Sequence, residues 1–297
     1  MHPLGRAFRQ TIHTFGSQRK LWLPFLVTAF VEVLGILVLW LAPHPPFSKL
    51  LAPPVRYFFT DRVLHYPWHL WFLYYAMKHT HIAVSIGLGA FMSGIACAMV
   101  RQTHEGVPLS VRGALVSRQV KYGRVLLVWL ITWGLAEGLV TGLVRFAPKA
   151  AWVFWAAIGL TILLQLLLVN AIPASVFERS PWWKALFQSV REAARYPIST
   201  FVVVAIPSAA MIAFAFFVSP VRVSEWMLKT APEIVVPLVA LRLFVWTLTD
   251  ALMTITVAHL WWLHRQPQLA SASVGATATA RARALPSTAM EKNHAVA

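Results

Sequence analysis

Four ionisable side chains stand inside long apolar segments of this chain: Glu32, Glu137, Arg242 and Asp250. Charged groups at bilayer depth are costly, and those that occur usually form ion pairs, relay protons or bind substrate. At about 1.5 Å of rise per residue, we expect Glu32, Glu137 and Arg242 to share a layer roughly 16–18 Å from one face, with Asp250 about 12 Å nearer to that face. The four residues are therefore the candidate substrate- or ion-binding group.

Two interpretations of this group are open. In both, Arg242 pairs with Glu137 or Glu32, and the other of these two carboxylates has no ion-pair partner. The functional interpretation makes the group a substrate or proton site at the middle of the membrane. The structural interpretation, which we favour at this point, makes the ion pair a lock between helices, with the spare acid protonated. The sequence predicts no catalytic residue.

The segments that hold these residues are six apolar stretches, at 21–41, 81–100, 125–144, 152–175, 198–219 and 234–262. Each is long enough for a helix to cross a bilayer. The chain of 297 residues is 58% hydrophobic and 12% charged, whereas soluble domains are about half apolar and a quarter charged. We predict an all-α polytopic protein with a membrane domain over 1–265 and a disordered cytoplasmic tail over 266–297.

The net charge of +16 is unevenly distributed. About two thirds of the Lys and Arg residues fall in the N-terminal segment, the second and fourth loops and the tail. Basic residues collect on the cytoplasmic side, so we expect a multi-pass protein of the bacterial inner membrane with both termini in the cytoplasm. The expected partners are membrane lipids, especially those of the anionic inner leaflet, and not nucleic acid.

A basic amphipathic stretch precedes each pair of spans. In the clearest copy, 181–196, Ser180 is expected to cap the helix. Its apolar face holds Trp183, Leu186, Phe187, Val190 and Ala194, and its polar face holds Lys184, Gln188, Arg191 and Arg195. Ala7-Phe8 with Ile12 and Ala114-Leu115 with Val120 are weaker copies, so a threefold repeat is an open interpretation. The aromatic loop at 42–80 is expected to lie in the interface.

Small residues recur every four positions in two spans. Gly134, Gly138 and Gly142 form such a run in the third span, and Gly89, Ala90, Ser93 and Gly94 give the same spacing in the second. Small residues let membrane helices approach closely. We expect these glycines to pack inside the bundle, with a homodimer face or a contact to another membrane protein as the alternative.

Motifs for cofactors, metals and nucleophiles are missing from the sequence. It contains no Walker loop, dinucleotide fingerprint, GxSxG or HExxH. His65, His69, His79 and His81 could hold a metal by spacing, but Pro67 interrupts the first pair and no Cys or carboxylate completes the set. We predict neither a cofactor nor a metal, and expect these histidines to be interfacial.

One segment carries a family resemblance. Lys184-Ala185-Leu186-Phe187-Gln188-Ser189-Val190-Arg191, followed by Arg195-Tyr196-Pro197 and a span, resembles the bacterial membrane domain found with glycerophosphoryl diester phosphodiesterases and its stand-alone relatives. The resemblance covers about the last two thirds of the chain and implies a multi-span helical module. It implies no hydrolytic activity, because the chain has no hydrolytic domain.

Three functions fit these observations. The first is a non-enzymatic membrane module that acts as a scaffold or partner subunit in envelope or lipid biology. The second is a transporter or permease for a small solute or lipid that uses Glu32, Glu137, Arg242 and Asp250. The third is a membrane-embedded lipid-processing enzyme that uses Asp250 or the histidine-rich loop.

Overall fold

The computed structural model describes residues 3–116, 120–146, 151–178, 180–217 and 230–284, and in these ranges the chain is helical with no β-strand. The helices are α1 (Pro3–Ser17), α2 (Leu23–Leu41), α3 (Ser48–Phe58), α4 (Trp68–Val84), α5 (Ala90–His104), α6 (Val111–Val116), α7 (Tyr122–Phe146), α8 (Ala151–Leu168), α9 (Ala171–Phe177), α10 (Trp182–Arg195), α11 (Pro197–Phe217) and α12 (Val235–Ala284).

Six segments within the described ranges are long and apolar enough to cross a membrane, which confirms the predicted all-α polytopic fold. They are Arg19–Leu41, His79–His104, Tyr122–Leu143, Trp155–Phe177, Pro197–Phe214 and Pro232–Arg265. Helices dominate because lipid offers no hydrogen bonds, so that each spanning segment must satisfy its own backbone groups.

The helices α12 and α5 lie at the centre of the bundle. Helix α12 contacts α1, α2, α4, α5, α9 and α11. Every residue from Ile255 to Trp261 on α12 is buried, as is every residue from Gly94 to Val100 on α5. Such all-round burial means that neighbouring helices surround these two segments on every side.

The order of the helices repeats one unit three times: a short helix (α1, α6 or α10) and then two spans. The alanine that starts each copy of the sequence pattern, Ala7, Ala114 or Ala185, is fully buried. Ala7 packs beside Leu260 and Leu263 of α12, while Ala185 packs beside Trp261. A small side chain lets each short helix lie close against the end of the bundle.

Helix α10 buries one face against the bundle and leaves its aromatic side chains exposed. Ala185, Ser189, Glu192 and Ala193 are buried against the bundle. The aromatic side chains of Trp183 and Phe187 are exposed, although a soluble protein would bury such residues. Ser180 does not cap the helix, since Pro181 occupies the N-cap position and the Ser180 hydroxyl donates to the carbonyl of Ala174.

Two boundaries differ from the predicted ones. Residues 68–80, predicted to lie in the interface, are the first turns of a continuous helix that enters the second span, and α3 is the separate helix of that loop. Pro67 precedes this helix, which begins at Trp68, so His65 and His69 do not share one helix, as the proline predicted. Helix α12 continues to Ala284, into the predicted tail, where alanine recurs and favours helix. The rest of the tail, 285–297, lies outside the described residues.

Candidate functional site

The carboxylate of Glu32 lies between helices and bonds to a histidine. Glu32 is 4% exposed, and Nδ1 of His81 on α4 lies 2.8 Å from its Oε1 atom. The His81 ring packs on Trp246 of α12, with 4.0 Å between ring centroids. Three spans thus meet at one hydrogen-bonded pair. The charge of Glu32 is therefore balanced when His81 is protonated.

Asp250 lies next to this pair, one helical turn beyond Trp246 on α12. It is close enough to interact electrostatically with His81 and Glu32. Asp250 is accessible although protein atoms surround it, and it lines two partly open cavities. Within the described part of the chain, its carboxylate forms no hydrogen bond or ion pair. We call Glu32, His81 and Asp250 the acidic site.

Two cavities adjoin the acidic site. The smaller has a volume of about 60 Å³ and is lined by Phe25, Thr28, Ala29, Glu32, His81, Ser85, Gly89, Met92, Ser93, Trp129, Trp246, Thr247 and Asp250. The larger has a volume of about 270 Å³ and is lined by Ser93, Cys97, Trp129, Thr132, Trp133, Ala136, Gln165, Leu168, Val169, Ile172, Pro173, Asp250, Met253, Thr254 and Val257. They share Ser93, Trp129 and Asp250, so Asp250 stands where the two cavities meet.

A helix irregularity borders each cavity. In the second span, Ser85–Gly89 forms one turn of π-helix between α4 and α5, and Ser85 and Gly89 line the smaller cavity. In the fourth span, the chain turns at Val169 and Asn170 between α8 and α9, and Val169 lines the larger cavity. Wide turns and broken helices recur at functional sites of membrane proteins.

The structure groups the four predicted site residues differently from the sequence estimate. Glu32 and Asp250 line the same cavity, so the expected separation of Asp250 from the layer of Glu32 is wrong. The estimate took the ends of each span as the membrane surfaces. The sixth span runs from Pro232 to Arg265, which is longer than the roughly 20 residues needed to cross the bilayer, so its ends do not mark depth.

Arg242 and Glu137 line neither of the two cavities. The Arg242 guanidinium lies over the Trp246 ring, 4.5 Å from the centroid. Glu32 bonds to His81, and the partner predicted for it was Arg242. A pairing of Arg242 with Glu137 stays a prediction.

The histidines do not form one group. His65 Nε2 lies 3.2 Å from Asp61 in the external loop, whereas His81 belongs to the acidic site inside the bundle. Burial lowers the pKa of His69, and neighbouring His44 adds to the effect. Among the described residues, no three His, Cys, Asp or Glu side chains come together as a metal site would require.

A second polar cluster lies on α12 at Arg265, where the sixth span ends. Nη2 of Arg265 is 2.7 Å from Glu178 Oε1 and 3.6 Å from Glu192 Oε1, and Gln188 donates to the other oxygen of Glu178. Burial raises the pKa of the Glu178 carboxyl, although Arg265 opposes the shift. We call Glu178, Glu192 and Arg265 the terminal ion cluster. It joins the end of α9, α10 and α12.

Between the two clusters, a histidine pair joins α5 to α12. His104 Nε2 lies 2.8 Å from His259 Nδ1, and the Thr14 hydroxyl of α1 lies 3.4 Å from the other ring nitrogen of His259. The His104 ring stacks on Trp262. These contacts tie the first helix to the centre of the bundle.

The predicted packing glycines fall into two groups. A Cβ added at Gly94 would lie 3.2 Å from Val120, and one at Gly89 would lie 3.7 Å from Thr28 of α2, so both glycines face other parts of the bundle. At Gly134, Gly138 and Gly142, a Cβ would meet no described atom within 4 Å. Internal packing is therefore the wrong interpretation for these three within the described chain. The spacing of small residues shows that they share one face of a helix, but it does not show what that face contacts.

The sequence analysis assigned His81 to the interfacial histidines because the span was predicted to begin there. A signal was present, since His81, Ser85, Gly89 and Ser93 recur at intervals of four residues, which places them on one helical face. That polar and small stripe lines the smaller cavity.

Comparison with known proteins finds no matching family model, no matching curated relative and no matching solved structure. The resemblance to the membrane domain found with phosphodiesterases therefore stays a prediction. What the chain shows on its own residues is a helical protein with six segments that could span a membrane and an acidic site where two partly open cavities meet.

Proposed function

We propose that this chain is a transporter or permease that binds a small solute in the two adjoining cavities. The observation that carries the proposal is the position of Asp250, an accessible carboxylate inside the bundle with no ion-pair partner in the described chain. A carboxylate kept for stability would be paired, because an unpaired buried charge opposes folding. An intramembrane acid that faces a cavity is instead typical of substrate and proton sites.

The shape of the spans supports the same function. The π-helical turn at Ser85–Gly89 and the turn at Val169–Asn170 each adjoin a cavity. Irregular backbone at membrane depth is tolerated where it is buried in protein or lines a cavity. Such points also let half-helices move relative to each other, which alternating access requires. The site therefore has both a binding group and places where the helices can hinge.

The residues of the acidic site have different roles in this proposal. Asp250 contacts the solute, because it lines both cavities. His81 orients Glu32 through their 2.8 Å contact. The positive-inside bias of the loops supports a location in the bacterial inner membrane with both termini in the cytoplasm.

A scaffold is the second candidate, and the exposed face of α10 favours it. Trp183 and Phe187 are exposed there, and Lys184 and Arg191 lie on the same helix. Aromatic and basic side chains together suit an anionic membrane surface. A scaffold would bind the membrane surface through this face, and its cavities would not be accessible from solution.

Access to the cavities from each side of the membrane separates the two functions. Ser93 lines both cavities, so Ser93→Cys in a Cys97→Ser background places one thiol at their junction. We expect a membrane-impermeant methanethiosulfonate to label it from either face, in right-side-out and inside-out vesicles. Leu163→Cys is the matched control on the exposed surface of the fourth span, and we expect it to stay unlabelled.

Labelling of Ser93→Cys from both faces supports transport, since a solute must reach the site from each side in turn. Labelling from one face only would contradict transport and leave a binding module. A thiol at position 93 that no reagent reaches from either face would overturn the proposal in favour of the scaffold.

A further inference from the structure

We propose that the acidic site selects a singly charged organic amine whose aromatic or branched aliphatic body fills the larger cavity. This inference rests on the proposed transport function and adds the chemical class of the solute. It follows from three properties of the cavity lining: its charge, its aromatic surface and its small number of polar groups.

The charge of the lining is negative. Among the described residues that line the cavities, His81 is the one basic side chain. When His81 is protonated it balances Glu32, so that the ionised Asp250 gives the site a net charge of −1. When His81 is neutral, both carboxylates are unbalanced. The chain as a whole carries +16, so this acidic lining stands in contrast to the rest of the protein and disfavours anions.

Asp250 lacks an ion-pair partner in the described chain, and a bound ammonium group would supply one. Charge-assisted hydrogen bonds to carboxylates are about twice as strong as neutral ones. One uncompensated carboxylate matches one positive charge on the ligand. A dication would leave a charge unbalanced when His81 is protonated, so a monovalent amine is the better fit.

Aromatic rings border the carboxylate. Trp129 and Trp133 lie one helical turn apart on α7, with parallel rings whose centroids are 5.9 Å apart, and both line the larger cavity. The face of a tryptophan ring attracts cations, most strongly where water is excluded. The ligand can therefore place its ammonium group near Asp250 and its body along these rings.

The size and polarity of the larger cavity define that body. Its volume of about 270 Å³ exceeds the roughly 150 Å³ of an apolar protein cavity that holds benzene, so a single ring with a short amine-bearing chain fits. Apart from Asp250, the larger cavity has few polar side chains. Gln165 is one of them, and its Oε1 atom accepts a hydrogen bond from Ser208 at 3.0 Å. A mainly apolar lining suits a hydrocarbon body better than a sugar or peptide.

The test uses the full chain in lipid nanodiscs and three probes of similar size: 2-phenylethylamine, the neutral 2-phenylethanol and the anionic 3-phenylpropanoate. The chain has 14 tryptophans, and their intrinsic fluorescence reports unfolding during heating. A ligand that binds the folded state raises the unfolding temperature with its concentration. We expect the amine to bind at least about tenfold more tightly than the alcohol.

Variants identify the residues responsible. Asp250→Asn is expected to abolish the preference for the amine, and Asp250→Glu to retain part of it. Glu137→Gln, at an intramembrane acid that lines neither cavity, should preserve the preference. Trp129→Leu should weaken binding of the amine several-fold, whereas Trp152→Leu, at an exposed tryptophan of α8, should not.

The outcomes separate this inference from the proposed function. If the alcohol binds as tightly as the amine and Asp250→Asn changes neither, selection of a cation is overturned, while transport stands if Ser93→Cys reacts from both faces. If the anion binds most tightly, or if no probe shifts the unfolding of the parent chain, the amine class is likewise overturned. If the thiol at position 93 is unreactive from both faces, the proposed function itself fails.

Discussion

Two stretches of the same helix, α12, have opposite surroundings. From Ile255 to Trp261 every residue is buried, by α1, α5, α9 and α11 among others. Between Leu241 and Asp250 every residue except Leu243 is partly or fully accessible, and two cavities lie alongside. We call residues 255–265 the closed end of the sixth span and residues 241–250 its open end. Arg265 at the closed end has two carboxylate partners, whereas Asp250 at the open end has no ion-pair partner among the described residues.

The difference separates polar groups that hold helices together from polar groups that bind. The terminal ion cluster balances charge between elements, so it acts as a lock. The acidic site leaves a carboxylate facing space, which does not stabilise a fold. Membrane helices associate through packing and polar contacts. We therefore expect substitutions at the closed end to reduce stability and substitutions at the open end to alter binding.

The largest effect on stability is expected at the closed end. Ile255→Ala should lower the free energy of unfolding by about 2–4 kcal/mol, because Ile255 is fully buried and its truncation leaves a void. Tryptophan fluorescence during heating in detergent measures the change. Leu252→Ala, at a side chain that is 37% exposed, is the matched control and should cost less than about 1 kcal/mol. Equal losses for the two variants would contradict the comparison.

Removal of the terminal lock comes next. Arg265→Gln should destabilise the fold by about 1–3 kcal/mol, because it leaves Glu178 and Glu192 close together without their cation, in a site that is partly exposed. The control is Arg191→Gln on the exposed side of α10, with an expected change within about 0.5 kcal/mol. If Arg265→Gln unfolds at the same temperature as the parent chain, the terminal ion cluster does not hold these helices together.

A smaller effect is expected at the open end. Glu32→Gln keeps a hydrogen-bond acceptor for His81 and removes a buried charge, so the free energy of unfolding should change by no more than about 1 kcal/mol. Glu32→Ala removes the acceptor and should cost about 1–3 kcal/mol. The two variants are compared by thermal unfolding. A loss for Glu32→Gln as large as that for Glu32→Ala would mean that the charge itself holds the helices together.

The smallest effect is a dependence on pH at the closed end. Burial raises the folded pKa of Glu178 above its ordinary value of 4.5, so the folded state holds its proton more tightly than the unfolded state. The stability from this group is thus full below about pH 4.5 and declines as the pH rises through the folded pKa. Glu178→Gln should flatten the pH profile of the unfolding temperature in this range. Asp61→Asn, in the exposed external loop, should leave the profile there unchanged.

Much of the fold follows from the sequence, because hydropathy directly reports burial in lipid. The six spans and the short helices before each pair are visible as apolar runs and basic amphipathic stretches. Glu32 and Asp250 are also identifiable, since a charge within an apolar run is costly wherever the helix lies. Those features depend on local composition alone.

The arrangement of the site depends on helix rotation and offset, which local composition does not report. The partner of Glu32 is His81 on α4, and the sequence suggested Arg242. The glycines at 134, 138 and 142 have the spacing of a packing face, yet they meet no described neighbour. In each case the residue was chosen correctly as unusual, but its partner is set by how distant helices dock.

The stability of Asp250→Asn, measured beside that of Arg265→Gln by tryptophan fluorescence during heating, tests most directly whether Asp250 is a binding group. We predict that Asp250→Asn unfolds at the same temperature as the parent chain or a higher one, because it removes a charge without an ion-pair partner from the interior. Arg265→Gln should unfold at a lower temperature. If Asp250→Asn loses as much stability as Arg265→Gln, then Asp250 is a structural group and the acidic site is not a binding site.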